Sequence, residues 1–127
     1  MMLTQAAKLY LIIGSANAML AVILGAFAAH GLKGRLTDQA LAIFDTGVQY
    51  HFYHALGLII IGLITSQIPA NGVRYSAWLM MAGMLLFSGS LYILALTGFR
   101  QLGMITPLGG VCFIAAWLTL MISIWKS

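Results

Sequence analysis

From Leu9 to Ala29 the chain runs for 21 residues without a charged side chain. A helix of about 20 apolar residues crosses the roughly 30 Å hydrocarbon core of a bilayer, so this stretch alone predicts a membrane span. Lys8 stands before it and His30-Gly31 closes it. A cleaved leader is the competing reading, because Ala26-Phe27-Ala28 has the small-x-small form of a cleavage site. The apolar run is longer than the core of a signal peptide and its front is nearly uncharged, which favours a retained span.

Three further apolar stretches follow. Thr37-Asp38 reads as a helix N-cap with an acid in the first turn. At 100° per residue, Leu36, Ala40, Ile43, Phe44 and Gly47 fall on one face, and Asp38, Asp45 and Gln49 on the other. Residues 37–50 therefore form an amphipathic interfacial segment. No breaker separates that segment from Phe52–Thr65, so one long helix is expected over 37–66. A turn is expected at Ser66–Gly72. Tyr75 and Trp78 mark the entrance to the third span as interfacial aromatics, and Thr97-Gly98 ends it. Thr106, read as a cap, and Pro107 open the fourth. The spans are placed at about 9–29, 48–66, 75–96 and 107–125, all in one membrane domain over 1–127.

Composition agrees with this reading. The chain is 62% hydrophobic and 6% charged, whereas a soluble domain carries about a quarter charged residues on its surface. The fold class is all-α: an integral membrane four-helix bundle with an amphipathic extension on the second helix. The bilayer itself is the expected partner. A net charge of +4 could suggest nucleic acid, but the basic residues stand singly or in one near pair between apolar runs. That is the distribution of membrane boundaries, and it speaks against nucleic-acid binding. Cys112, a lone cysteine in an apolar run, excludes an intramolecular disulfide or a CxxC pair.

Folding four spans brings His30, Gln49, Tyr50, His51, His54, Arg100 and Thr106 toward the end that holds the first and third loops, with both acids. These residues are the candidate binding set. His51 and His54 are three apart and share a helix face, on the side of Ala40, Phe44 and Gly47. Ionisable groups at that depth face protein or water rather than lipid, and His54 is expected to be uncharged. Three roles compete for the histidines. They could hydrogen-bond neighbouring helices, bind a polar ligand or lipid headgroup, or supply imidazoles to a metal or haem. The metal signal is weak, because no cysteine or acid is fixed beside them. The pattern names no catalytic residue, no metal ligand set and no cofactor.

A second group is read as packing. Asn17 is the strongly polar side chain deep in the first span, and an interhelical hydrogen bond is its expected role. Ser88-Gly89-Ser90 has the small residues that let helices approach, with hydroxyls able to bond to a neighbour. Gly25, Pro107, Gly109 and Gly110 are expected at tight helix contacts.

The segments Gly25–Leu32 (GAFAAHGL), Gln49–Leu58 (QYHFYHALGL), Leu86–Gly98 (LFSGSLYILALTG) and Ile105–Gly110 (ITPLGG) together resemble the YgdD/YwdK family of small four-span membrane proteins, a domain of unknown function. By matching position, the family pattern falls on Gly25, Ala29, His30, Tyr50, His54, Ser88, Gly89, Ser90, Tyr92, Thr106, Pro107 and Gly110. The resemblance implies a bacterial inner-membrane protein with both termini on one side, in the cytoplasm. It implies no established activity.

Three functions are open on these grounds. The favoured one is a non-enzymatic structural or accessory protein, associating with itself or with a larger membrane complex. Second is a binder or transporter of a small polar molecule or lipid headgroup through the His30/His54 side. A metal- or haem-dependent enzyme comes last. A proton-coupled exporter would need a carboxylate inside the membrane, and both acids lie on the interfacial segment.

Overall fold

The computed structural model describes residues 2–68 and 71–127. It contains four helices long and apolar enough to cross a membrane, and no strands among the described residues. Helix α1 spans Gln5–Phe27 and widens into a π turn over Ala28–Leu32. Thr4 caps it, its hydroxyl accepting from the Ala7 N–H at 3.1 Å. Helix α2 spans Asp38–Thr65 without a break, and Thr37 caps it by accepting from the Ala40 N–H at 3.1 Å. The third helix, α3, spans Asn71–Thr97. Its last turn ends at Gly98, whose φ of 72° is the left-handed geometry that glycine tolerates best. A 3₁₀ turn over Arg100–Met104 leads into α4, Thr106–Lys126. Of the turn expected at Ser66–Gly72, Pro69 and Ala70 lie outside the described residues.

Helix α2 is the centre of the bundle. It carries α1 along its length on one side and meets α3 on another, while α4 packs mainly on α3. The Thr4 N–H reaches Ser66 Oγ at 3.4 Å, and Gly72 lies against Ser123. The start of α1, the end of α2, the start of α3 and the end of α4 therefore share one end of the molecule, with both termini. All eight charged side chains are exposed.

The apolar interior has two parts. One is built on Tyr10, Leu58, Ile61, Met80, Phe113 and Leu120. A smaller one, at the opposite end, contains Ala28, Leu32, Phe44 and Ala95. Outside, large apolar side chains such as Leu85, Val111 and Ile114 point away from the bundle, with fractional exposures of 74%, 63% and 70%. A contiguous surface of that kind has lipid as its natural solvent.

Within α3 the segment Met84–Ser88 is π-helical, and the Gly89 N–H reaches back to the Met84 carbonyl. The extra residue pushes the backbone at Phe87 toward α4, where Gly109 receives it. A Cβ at Gly109 would lie 2.7 Å from Phe87 Cα and closer still to its nitrogen. π turns of this kind often sit at positions with a special role, and here the turn sets how closely α3 and α4 approach. Thr106 differs from its expected part. Its hydroxyl does not cap α4 but pairs with Ser90 Oγ at 2.6 Å, because α3 passes close enough to offer a partner.

Candidate functional site

Between the two apolar interiors lies a polar layer, and its centre is His51. Located thirteen residues after Asp38 and fourteen before Thr65, His51 sits at the midpoint of α2, about 20 Å from either end at 1.5 Å per residue. Its Nε2 lies 2.8 Å from Asn17 Oδ1 on α1, and its Nδ1 lies 2.8 Å from Tyr92 Oη on α3. Asn17 in turn places Nδ2 2.9 Å from the Ile13 carbonyl.

That carbonyl sets the direction of the whole chain. A carbonyl oxygen only accepts, so it selects the amide nitrogen of Asn17 and turns Oδ1 toward His51. The neutral imidazole then donates from Nε2 and accepts at Nδ1, and the Tyr92 hydroxyl donates to it. One arrangement of protons satisfies every member, and the chain ties three helices together. Ser88 extends the layer, donating to the Gly47 carbonyl at 2.7 Å in a fully buried contact between α3 and α2. Tyr92 also closes over Phe44, their rings 4.9 Å apart.

His54 takes the other direction. Its Nδ1 donates to the Tyr50 carbonyl one turn back at 2.7 Å, which leaves the lone pair on Nε2. The ring stacks on Phe113 of α4 and is tilted against Trp117, with centroids 5.8 Å apart. Tyr50 covers the same patch, stacked against His54 and tilted on Phe87 at 4.7 Å. The pair of histidines read as sharing one face does so only coarsely. A rotation of about 60° between them is enough to send one toward α1 and α3 and the other toward α4.

The remaining candidates are spread out. His30 is exposed in the π turn at the end of α1, Gln49 is exposed on α2, and Arg100 is exposed beside the start of α2. Among the described residues no three His, Cys, Asp or Glu side chains come together as a metal-ligand group, so the three imidazoles do not converge. Thr106 belongs to a contact between α3 and α4, where Ser90 also donates to the Phe87 carbonyl at 2.9 Å. Of the residues read as packing, Gly25 faces Val48 of α2 and Gly109 meets the π segment, while Gly110 is only in ordinary contact with the Phe87 ring. Pro107 is exposed in the first turn of α4. Gly89 departs from the expectation of tight packing, since a Cβ there would meet nothing within 4 Å.

Tyr92 is the member that sequence reasoning left out of the site. A buried tyrosine hydroxyl needs a partner, but nothing in the chain links positions 17, 51 and 92 before the helices are packed. Beside these three residues a groove of about 340 Å³ opens between α1 and α3, with Gly89 on its wall.

Fold and site together define a small polytopic membrane protein, all-helical, whose bundle is joined by a hydrogen-bonded layer midway along α1 and α2. The chain belongs to the DUF423 family, described as a protein of unknown function, whose model matches residues 24–110. It is 51% identical over 120 residues to the UPF0382 membrane protein YwdK of Bacillus subtilis (strain 168), covering 94% of this chain and 98% of that one. It is also 51% identical over 119 residues to the UPF0382 membrane protein SH2409 of Staphylococcus haemolyticus, covering 94% and 97% of the two chains. With the UPF0382 membrane protein SAB0533 of Staphylococcus aureus the identity is 49% over 119 residues, at the same coverages. No solved structure matches the chain.

Proposed function

We propose that this protein is a structural or accessory component of a bacterial inner membrane, non-enzymatic, with both termini in the cytoplasm. It would work in association with further copies of itself or within a larger membrane complex. The observation that carries this reading is the use made of the polar groups. Among the described residues no buried side-chain nitrogen or oxygen lacks a hydrogen-bond partner. Catalytic centres keep reactive groups poised toward a substrate, whereas here the Ser88 and Tyr92 hydroxyls, the Asn17 amide and the His51 imidazole bind helix to helix. Ser76 follows the same rule, donating to the Ala116 carbonyl at 2.6 Å between α3 and α4.

Extraction of the protein from its native membrane in polymer-bounded lipid discs, followed by native mass spectrometry, tests the reading. The expected particle contains at least two polypeptides, one of them this 13.7 kDa chain. A disc population holding one copy and no other protein would overturn the reading.

A further inference from the structure

We propose that the groove between α1 and α3 is a binding site for an uncharged, bilayer-dissolved ring carbonyl compound of the quinone class. Three features of the groove argue for an occupant. Its volume of about 340 Å³ suits a single substituted ring, at the lower end of the range of small-molecule sites. Its walls are apolar, from side chains such as Leu20 on α1 and Met81 on α3, and its polar lining is confined to Asn17, His51 and Tyr92. Gly89 lines it with open space where a side chain would otherwise stand.

Residual hydrogen-bonding capacity says what the occupant offers. His51 uses both ring nitrogens inside the layer. Asn17 uses one amide hydrogen toward Ile13, so its second N–H is available to an acceptor, and the Tyr92 oxygen keeps lone pairs after donating to His51. A carbonyl oxygen on the ligand fits the Asn17 N–H. The reduced, hydroxyl form of the same ring fits the Tyr92 oxygen.

Depth decides between classes of lipid. The polar floor includes Asn17, the ninth of the 21 uncharged residues of Leu9–Ala29, about 12 Å from one end of that run and about 18 Å from the other at 1.5 Å per residue. A phospholipid keeps its charged headgroup at the interface, because a charge at mid-depth is costly, and its acyl tail has no polar atom to present there. A quinone carries its carbonyls on an apolar body that dissolves in the bilayer interior. Of these two kinds of molecule, only the quinone places a hydrogen-bond acceptor opposite Asn17. Met81 and Met84, flexible and polarisable, can adjust to a flat ring.

The test uses the full-length protein in phosphatidylcholine nanodiscs, titrated with decyl-benzoquinone and read by native mass spectrometry. The expected result is a saturable adduct of one quinone per chain. Decylbenzene, which has the tail and ring but no carbonyl, should bind at least tenfold more weakly to the wild type. Gly89→Phe fills the groove from a position with open space around it, and should lower quinone occupancy at least tenfold with the thermal midpoint retained. Asn17→Leu, which removes the donor, should lower it two- to tenfold. Absence of a saturable adduct, equal binding of decylbenzene, or unchanged occupancy in folded Gly89→Phe would each overturn the proposal. Equal binding of decylbenzene would mark the groove as one for acyl chains only.

Discussion

The imidazole of His54 lies flat on the ring of Phe113, with centroids 3.5 Å apart and planes 8° from parallel. His54 thus meets α4 as a flat ring, and its hydrogen bond stays within its own helix. His51, one turn earlier, has the reverse character, with two hydrogen bonds to two other helices. Their substitutions should therefore diverge.

His54→Phe keeps a flat ring against Phe113 and is expected to hold stability within about 1 kcal/mol of wild type. His54→Leu loses the stack and should cost on the order of 1 kcal/mol. His54→Lys buries an unpartnered cation and should cost several. Thermal unfolding of the three variants in one detergent gives the ranking, and a lysine variant as stable as the leucine one would refute it.

His51→Leu removes the centre of the relay and strands the Asn17 carbonyl and the Tyr92 hydroxyl. An expected cost of about 1–3 kcal/mol follows from leaving buried polar groups unpaired. A double-mutant cycle of His51→Leu with Tyr92→Phe isolates the pair. Its coupling should fall near 0.6 kcal/mol and below about 1.7, the range of such bonds in membranes. Zero coupling would mean that the 2.8 Å contact carries no stability.

Gly109→Val and Gly89→Ala separate two glycines that look alike in the chain. Valine at 109 has to displace the Phe87 backbone and should destabilise by about 1–3 kcal/mol, as overpacking does. Alanine at 89 meets nothing within 4 Å and should be neutral or stabilise the helix by up to about 1 kcal/mol. Urea- or heat-induced unfolding followed by circular dichroism reads both. Equal destabilisation by the two would show that the π segment does not set the distance between α3 and α4.

Topology offers a fourth check. With the termini at one end of the bundle, single cysteines at Lys8 and Lys126 in a Cys112→Ala background should react with an impermeant maleimide from the same side, and one at Arg35 from the other. Cytoplasmic termini predict that 8 and 126 react only after the membrane is opened. Labelling of 8 and 126 from opposite sides would break the four-span arrangement.

Much of the architecture was legible along the chain, for a physical reason. A bilayer demands helices of about 20 apolar residues and sends charges to their ends. The long α2, its Thr37 cap and the buried face through Phe44, Gly47, His51 and His54 follow from that requirement and from the 3.6-residue period. Asn17 was recognisable as needing a partner, since a strongly polar side chain inside a span rarely stays without one.

What the sequence determined by itself is therefore local: which stretches are helices, which face of each turns inward, and which side chains need partners. Tertiary structure alone decided who the partners are. The pairing of His51 with Asn17 and Tyr92 spans sequence separations of 34 and 41 residues, and it depends on the register at which three helices meet. The π segment at Met84–Ser88 has the same origin, because only the approach of Gly109 to Phe87 gives the extra residue a place to go. Helical periodicity specifies an angle around one axis. Distances between axes come from packing, and the polar layer and its groove are made of those distances.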